Sequence, residues 1–399
     1  MLSAAGPPAI PCSAVGPPAI PNNLLDGWLE GYAVAVKGAA DWFAYALAGN
    51  PLDVSQWLTT ATDRRPPTWS TPHEIVLETP LARLRDFSTS RRRGLVPTLV
   101  FPPQAGHDSC IVDFSAEQSQ MRTIVESGLE RAFALDWVGA TNDTKDASID
   151  DYLDVVDEAV DRCGGRANLI GDCQGGWLAA IYAALRPDRV NTLTLAGAPI
   201  DFHAGEPVIH ELLRVLAPAG YLRFYEALVA SGGGVLKGEH MLAGFVAIQP
   251  SDEISRQSEL LLNLDDPDYT QRYAKFEDWF KHTQDLPGAF YLWIVRHLFR
   301  DNELVSGSLS VQGRQVKLSE IDVPLNLLAG ATDHITPPEQ VFALADFAST
   351  PDKLIRRDLA PGGHLGLFMS HQALREHWPG LLAHTLSHSQ PKGARASRS

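Results

Sequence analysis

Short apolar runs alternate with amphipathic segments between residues 71 and 200. Apolar or alternating runs predict strands at 73–78, 81–86, 98–101, 132–135, 168–170 and 190–196. Apolar residues on one side of the segment 150–162 predict an amphipathic helix, and an Ala- and Leu-rich helix follows the fifth strand. Strands that alternate with helices are typical of βαβ units, so we expect an α/β fold with a mostly parallel sheet flanked by helices.

The alternation stops at residue 201 and resumes at residue 321. Residues 201–320 are helical in pattern and rich in aromatic residues, which predicts a helical cap inserted into the sheet domain; a second core of the same domain is the alternative. Strands at 323–329 and 354–359 and a helix at 371–386 then complete the sheet domain. Its two parts are therefore predicted at residues 71–200 and 321–388.

The two ends of the chain differ from this body. Residues 1–22 contain a ten-residue duplication with six prolines, and residues 389–399 are basic and polar, so both are predicted to be disordered tails. Residues 23–70 are predicted to be helical, and an apolar stripe recurs at helical spacing at Leu25, Trp28, Leu29, Tyr32, Val36 and Phe43. We expect an amphipathic helix that packs on the body; a dimer contact or attachment to a hydrophobic particle is the alternative.

Net charge and cysteine content argue against several classes of partner and site. The net charge of −15 argues against nucleic acid or an anionic membrane as the main partner. The four cysteines form no C-x-x-C pair, so no metal site is predicted. No run of 18 apolar residues and no basic leader occurs, so we expect a soluble cytoplasmic protein without a transmembrane segment.

One glycine-rich turn carries the candidate chemistry. Gly171-Asp-Cys-Gln-Gly-Gly176 lies between a predicted strand and a predicted helix and matches the nucleophile elbow G-x-S-x-G, with Cys173 in place of serine. Glycines there allow the helix to approach the strand closely. The alternative is a buried cysteine in a turn that serves packing or phosphate binding alone.

Two further residues complete a predicted catalytic triad. Asp333 and His364 each follow the end of a predicted strand, where open parallel sheets place ligands. The chain order nucleophile, acid, histidine is that of α/β-hydrolases. In such a triad the histidine accepts the thiol proton and the carboxylate orients the imidazole.

The remaining site predictions concern the oxyanion and the substrate. The N–H of Gln174, directly after the nucleophile, is one predicted oxyanion donor. Pro102 and Pro103 lack an N–H, so Gln104 is the earliest second donor. Substrate-binding roles are predicted for His107, Asp136, His334 and Trp177.

The motifs together resemble those of polyhydroxyalkanoate synthases. The resemblance covers roughly residues 70–385 and includes the elbow, Tyr182-Ala-Ala-Leu-Arg-Pro-Asp-Arg-Val190, Phe276-Glu-Asp-Trp279 and Pro361-Gly-Gly-His-Leu-Gly366. It is nearest to the short synthases that work with a partner subunit. The resemblance implies an α/β-hydrolase fold with Cys173 as the acyl-accepting nucleophile, His364 as its base and Asp333 as the partner of the histidine.

One turn departs from the synthase pattern. Gln104-Ala-Gly-His107 is similar to intracellular polyhydroxybutyrate depolymerases, whereas depolymerases of that kind have Cys-Gln-Pro at the nucleophile and this chain has Cys-Gln-Gly. The resemblance thus implies a polyester-metabolising enzyme and leaves two directions of reaction open.

Three functions follow as hypotheses. The first is acyl transfer, in which Cys173 takes a 3-hydroxyacyl group from a coenzyme A thioester, which is a substrate rather than a cofactor, and passes it to a polyester chain. The second is hydrolysis by a depolymerase or thioesterase that uses the same triad. The third is a non-catalytic granule-binding protein that uses the helix at 24–47. The resemblance also implies association with polyester granules and either a homodimer or a partner subunit.

Overall fold

The structure is a computed structural model that describes residues 24–48, 53–90, 94–205, 207, 210 and 220–389. The predicted tail 1–22 and, apart from residue 389, the predicted tail 389–399 lie outside the described residues. In the described part of the chain, no helix is both long and apolar enough to cross a membrane.

A central sheet of eight strands organises the molecule. In chain order the strands are β1 (Glu74–Glu78), β2 (Ala82–Asp86), β3 (Thr98–Phe101), β4 (Ala132–Trp137), β5 (Ala167–Asp172), β6 (Val190–Ala196), β7 (Leu325–Gly330) and β8 (Ile355–Ala360). Their order across the sheet is β1-β2-β4-β3-β5-β6-β7-β8. The pairs β1–β2 and β2–β4 are antiparallel, and the other neighbours are parallel. The predicted α/β-hydrolase fold is confirmed, and every predicted strand lies within two residues of its observed bounds.

Helices cover both faces of this sheet. In chain order the helices are α1 (Leu24–Leu47), α2 (Val54–Thr62), α3 (Gln120–Glu126), α4 (Ile149–Cys163), α5 (Gln174–Leu185), α6 (Tyr221–Ser231), α7 (Gly238–Ile248), α8 (Pro250–Leu262), α9 (Pro267–Phe280), α10 (Gly288–Trp293), α11 (Glu303–Ser306), α12 (Pro338–Phe342), α13 (Leu344–Phe347), α14 (Gly366–Met369) and α15 (Trp378–Ser389). Strands β3 to β7 are buried along their whole length, because a sheet covered on both faces buries both sets of side chains. The predicted C-terminal helix begins as a π-helical turn at Ala373–His377 and continues as α15.

The amphipathic helix α4 begins and ends where its sequence indicates. Ser148 and Asp151 form a capping box at its start, and Gly164 ends it in the left-handed region with φ of 116°. The apolar side of the helix, which includes Tyr152 and Val156, is buried in the core against the sheet. This arrangement confirms the predicted helix between β4 and β5.

The segment between β6 and β7 is mainly helical where it is described. It contains α6 to α11 and two short antiparallel pairs, Val235–Leu236 with Leu286–Pro287 and Ser310–Val311 with Arg314–Gln315. Phe290 and Tyr291 of this segment belong to the same buried cluster as the sheet. Leu260, Leu261, Leu264 and Tyr273 form a separate small cluster. The cap therefore packs partly on the main core and partly on itself.

Helix α1 is present as predicted, but its orientation differs from the prediction. It packs along α8, where the indole N–H of Trp42 donates to the carbonyl of Ser258 at 3.0 Å. The apolar stripe at Trp28, Leu29, Tyr32, Val36 and Phe43 is between 52% and 72% exposed. Helix α1 therefore packs on the body as predicted, but through small residues such as Gly38 that face α8, and the described side chains of the apolar stripe are left exposed.

The contact between α5 and β3 yields a stability prediction. A Cβ atom on Gly175 would lie 2.1 Å from the carbonyl oxygen of Phe101, so Gly175→Ala must move the helix or the strand. We expect the variant to lose about 3 kcal/mol of unfolding free energy, measured by urea denaturation. The control is Gly244→Ala in α7, where a Cβ meets no atom of the described residues within 4 Å and a gain of about 0.5–1 kcal/mol is expected. Equal midpoints for the two variants would contradict the close approach.

Candidate active site

Cys173 occupies a sharp turn between β5 and α5. Its backbone has φ of 52° and ψ of −119°, a conformation that is costly for a residue with a Cβ atom. The turn is tight because the chain folds back on itself: a Cβ on Gly171 would lie 2.4 Å from the Cα of Gly176. A Cβ on Gly176 would lie 2.2 Å from the Cβ of Ala198. The glycines are thus required by the elbow geometry, as the sequence indicated.

His364 and Asp333 meet at the carboxyl ends of neighbouring strands. Asp333 follows β7, His364 follows β8, and the imidazole Nδ1 lies 2.7 Å from a carboxylate oxygen of Asp333. The other carboxylate oxygen accepts the backbone N–H groups of Ile335 at 3.0 Å and Thr336 at 2.8 Å. Asp333 is therefore held in place from two sides and fixes the orientation of the imidazole.

The electrostatics of His364 couple it to Cys173. Burial disfavours the charged imidazole, but the charges of Asp333 and Cys173 and hydrogen bonds to both side chains hold the pKa of His364 well above its usual value. With Nδ1 engaged by Asp333, the other ring nitrogen is the one that faces the thiol. The structure thus brings the three residues of the predicted triad together.

Cys173 lines two cavities. We call the larger one, of about 440 Å³, the polar cavity, because all the charged residues that the structure describes on the two walls lie there: Glu30, Asp108, Asp252, Glu253 and Arg256. Its wall also carries His107, His334 and His364 and the apolar residues Pro103, Ile111, Val246, Phe276, Trp279, Phe280, Leu365 and Phe368. We call the smaller one, of about 300 Å³, the apolar cavity; its wall carries Trp177, Pro199, Phe202, Phe224, Tyr225, Leu228, Leu236, Met241, Ile248, Tyr291 and Phe299, and also the uncharged polar residues Gln174, Thr336 and Gln340 and the histidines His210 and His240. Ala105, Phe245 and Ile335 line both cavities together with Cys173.

Four of the remaining predicted residues lie on these walls. Gln174 is the first residue of α5 and, like Trp177, lines the apolar cavity. His107 and His334 line the polar cavity. His107 stacks on Trp279 and Phe280 at centroid distances of 5.0 and 5.5 Å, and burial lowers its pKa to about 4. Burial also lowers the pKa of His334.

The structure places two other predicted residues away from the cavities. The side chain of Gln104 donates to the hydroxyl of Tyr152 at 2.6 Å, and the next residue, Ala105, is the one that lines both cavities beside Cys173. Asp136 is buried and forms an ion pair with Arg85 at 2.6 Å. Asp136 therefore has a structural partner and faces neither cavity.

Comparison with known proteins adds the family to this geometry. A family model described as "Protein of unknown function (DUF3141)" matches residues 81–384, which is most of the chain. The chain belongs to this family. The matched span contains the sheet from β2 onwards, the cap and all three residues of the predicted triad.

The chain is also similar to polyhydroxyalkanoate polymerases. It is 26% identical to the poly(3-hydroxyalkanoate) polymerase subunit PhaC of Haloferax mediterranei over 77% of this chain and 62% of that protein. It is 25% identical to the subunit of the same name from Allochromatium vinosum, over 68% of this chain and 75% of that protein. The predicted resemblance to polyhydroxyalkanoate synthases is confirmed. The chain spans less than two thirds of the Haloferax protein and 56% of the Haloarcula marismortui subunit.

Solved structures with similar folds were also found. A monoacylglycerol lipase from Paleococcus ferrophilus matches with a TM-score of 0.46 and 15% identity, over 77% of this chain and 99% of that chain. An epoxide hydrolase from Bacillus megaterium matches with a TM-score of 0.44 and 12% identity, over 79% of this chain and 99% of that chain.

The structure adds one buried carboxyl group that the sequence analysis missed. Asp172, directly before the nucleophile, is fully buried, and one of its oxygens accepts from the amide of Gln120 at 3.2 Å. Burial raises its pKa to about 8, against the opposing effects of Gln120 and of the charge on His364. The sequence feature that could have identified Asp172 is a carboxylate at the end of an otherwise apolar strand.

The cap residues on the cavity walls were missed as well. Phe245 of α7 lines both cavities, as Cys173 does, and Asp252 and Arg256 of α8 line the polar cavity. Helical periodicity shows that a residue lies on a helix, but it does not show which face a cap helix turns towards a distant elbow. No sequence signal identified these residues.

The buried carboxyl group yields a prediction on stability and pH. An unfolded aspartate ionises above about pH 4, whereas folded Asp172 keeps its proton up to about pH 8. The folded state therefore binds the additional proton in this window, and its stability falls as the pH rises. We expect Asp172→Asn to become progressively more stable than the wild type between about pH 4 and 8, by an amount on the order of 5 kcal/mol at the upper end.

Urea unfolding at several pH values measures this difference. Asp188→Asn, at an exposed position, is the control for exchanging a carboxylate for an amide. A difference between Asp172→Asn and wild type that stays constant across the window contradicts the raised pKa.

Proposed function

We propose that this protein transfers a 3-hydroxyacyl group from a coenzyme A thioester to the hydroxyl end of a polyester chain, through a thioester on Cys173. The observation that carries the proposal is that Cys173 lines two cavities of different character. A transfer reaction needs room for the acyl group and, separately, for the group that leaves or attacks. The confirmed resemblance to polyhydroxyalkanoate synthases supports the same reaction class.

The first half of the reaction forms the acyl-enzyme. The free ring nitrogen of His364 takes the proton of the Cys173 thiol, and the sulfur attacks the carbonyl carbon of the thioester. Asp333 stabilises the imidazolium through the 2.7 Å contact at Nδ1. The coenzyme A thiolate leaves with the proton from His364, so that one thioester replaces another.

The second half transfers the acyl group to the acceptor. His364 takes the proton of the hydroxyl at the end of the polyester, and the oxygen attacks the carbonyl carbon of the acyl-enzyme. The sulfur of Cys173 leaves and recovers its proton from His364, which restores the starting state.

The position of Gln174 suits it to stabilise the intermediates of both halves. As the first residue of α5 it has a backbone N–H that no carbonyl of the same helix can accept. The positive end of the helix dipole lies at the same place, where the carbonyl oxygen becomes negative. Ala105, which lines both cavities together with Cys173, is the candidate source of a second N–H donor.

The charge of the polar cavity favours hydrolysis as the second candidate function. Glu30, Asp108, Asp252 and Glu253 line this cavity. Among the described residues that line this cavity, Arg256 is the only lysine or arginine. It forms ion pairs with Glu253 and with the buried Glu277. Carboxylates repel the phosphates of coenzyme A but leave a neutral polyester and water unaffected. The same acyl-enzyme attacked by water gives a depolymerase or thioesterase.

The proposal extends to a polyester granule as the working surface, with a second copy or a partner subunit as further partners. The exposed apolar stripe of α1 supports such a contact, since apolar patches of this kind mark interaction surfaces.

The triad is tested by substitution. We expect Cys173→Ala to lower the rate of acyl transfer at least about a thousandfold, because the covalent intermediate no longer forms. Asp333→Asn is expected to have an effect of about the same size, because the imidazole loses its orienting carboxylate. Mass spectrometry is the second measurement. It is expected to detect a trapped acyl group on residue 173 in the wild type and none on residue 173 in Cys173→Ala.

Cys163→Ala is the matched control, since burial raises the pKa of the Cys163 thiol and the residue lies in the core away from both cavities. It is expected to keep wild-type activity. Unchanged activity and cellular role in the folded Cys173→Ala variant would instead favour a non-catalytic granule-binding protein.

The direction of the reaction is tested with two substrates. The enzyme is supplied separately with 3-hydroxyacyl-coenzyme A and with 3-hydroxyacid oligomers. Release of coenzyme A together with insoluble polymer is the expected result. Free monomer without polymer from either substrate contradicts transfer and favours the hydrolase.

A further inference from the structure

The apolar cavity extends away from the nucleophile into the cap. Cys173 and Trp177 lie at one part of its wall, while Phe224 and Leu228 of α6 and Phe299 of the π-helical segment Ile294–Arg300 belong to the cap. A two- or three-atom substituent on the acyl group would leave most of a cavity of about 300 Å³ unfilled. The mainly apolar surface of this cavity indicates a longer apolar chain, because removing such a chain and this surface from water is favourable.

The part of the wall beside the sulfur carries polar atoms without protein partners. The indole N–H of Trp177 and the amide oxygen of Gln174 are buried, and neither has a hydrogen-bond partner among the residues that the structure describes. Trp177 is 1% exposed, so solvent does not satisfy its N–H. A hydroxyl group on the acyl chain can both accept from the indole and donate to the amide oxygen. The apolar cavity therefore offers polar atoms at Gln174 and Trp177, while the rest of its wall is mainly apolar, with His210, His240, Thr336 and Gln340 as the other polar residues.

The polar cavity does not suit the same chain. It carries four carboxylates and the Arg256 ion pairs beside its apolar residues, whereas the described residues of the apolar cavity include no Asp, Glu, Lys or Arg. An alkyl chain placed in the polar cavity would separate these charges from water without replacing their hydration. Of the two cavities at Cys173, the apolar one therefore suits the acyl side chain better.

We propose that the apolar cavity selects 3-hydroxyacyl groups of medium chain length, such as 3-hydroxydecanoyl, over 3-hydroxybutyryl. This inference rests on the proposed acyl-enzyme at Cys173. Each buried methylene is worth about 0.8 kcal/mol, or about fourfold in kcat/KM when the transition state retains the contact. Several additional methylenes therefore give a preference of at least about a hundredfold for the decanoyl over the butyryl thioester.

Gly244 of α7 offers a direct test of this cavity. It lines the apolar cavity, and a Cβ built on it meets no atom of the described residues within 4 Å. A leucine at this position can extend into the space without moving the backbone, and the exchange of a helical glycine does not disfavour α7. Gly244→Leu is thus a cavity-filling variant that is expected to fold.

The experiment measures kcat/KM for 3-hydroxybutyryl-, 3-hydroxyhexanoyl- and 3-hydroxydecanoyl-coenzyme A, with release of the thiol as the signal. For the wild-type chain we expect the values to rise with length. In Gly244→Leu we expect the ratio of the decanoyl value to the butyryl value to fall at least tenfold. Glu239→Leu adds the same side chain at an exposed position of α7 that lines neither cavity, and it is expected to keep the wild-type profile.

The hydroxyl contact has its own comparison. Decanoyl-coenzyme A, which lacks the hydroxyl, is expected to be a poorer substrate than 3-hydroxydecanoyl-coenzyme A in the wild type. In Trp177→Phe, which retains an aromatic ring but lacks the N–H, this difference is expected to shrink.

The outcomes separate this inference from the proposed function. Acylation of Cys173 with a preference for 3-hydroxybutyryl, unaffected by Gly244→Leu, overturns the chain-length inference and leaves the proposed function standing. Absence of any acyl group on Cys173 with all three thioesters overturns the proposed function. If kcat/KM depends on chain length in the same way in Gly244→Leu and Glu239→Leu, the acyl chain does not occupy the apolar cavity.

Discussion

The close approach of α5 to the strands beneath it is the constraint on which the site depends. Gly175 lies against the backbone of Phe101, and Gly176 lies against Gly171 and Ala198. Because these contacts leave no room for side chains, the chain must turn sharply at Cys173, and the sulfur is presented at the edge of the sheet. A strained backbone at this residue persists only because α5 and the sheet are buried around it.

Burial also determines how the charged groups work. Asp333 and His364 are both buried, so their mutual attraction is little screened, and two backbone N–H groups hold the carboxylate in place. Asp172 is buried nearby with a hydrogen bond from Gln120, and burial raises its pKa to about 8. Asp172 is therefore mostly protonated at neutral pH, which limits the negative charge around the nucleophile.

Residues of the cap line both cavities of the site. Phe245, like Cys173, borders both cavities, with carboxylates along one and mainly apolar side chains along the other. The sheet and the elbow are compatible with many acyl-transfer and hydrolytic reactions. The chemistry of a particular substrate must therefore be selected by the cap, which is why the proposals on substrate length and on the leaving group rest on cap residues.

The sheet, the elbow and the three candidate triad residues could be predicted from the sequence. Continuous apolar strands, glycine spacing and the order of Cys173, Asp333 and His364 can be read from the chain without knowing how distant segments pack. The covered face of α1 follows only from the tertiary structure. The same is true of the hydrogen bond from Gln104 to Tyr152 and the ion pair of Asp136 with Arg85. It is also true of the position of Phe245 on the wall of the cavities that Cys173 lines. These outcomes depend on packing between segments far apart in the chain, where several faces of a helix or turn are chemically acceptable and only the available space selects one.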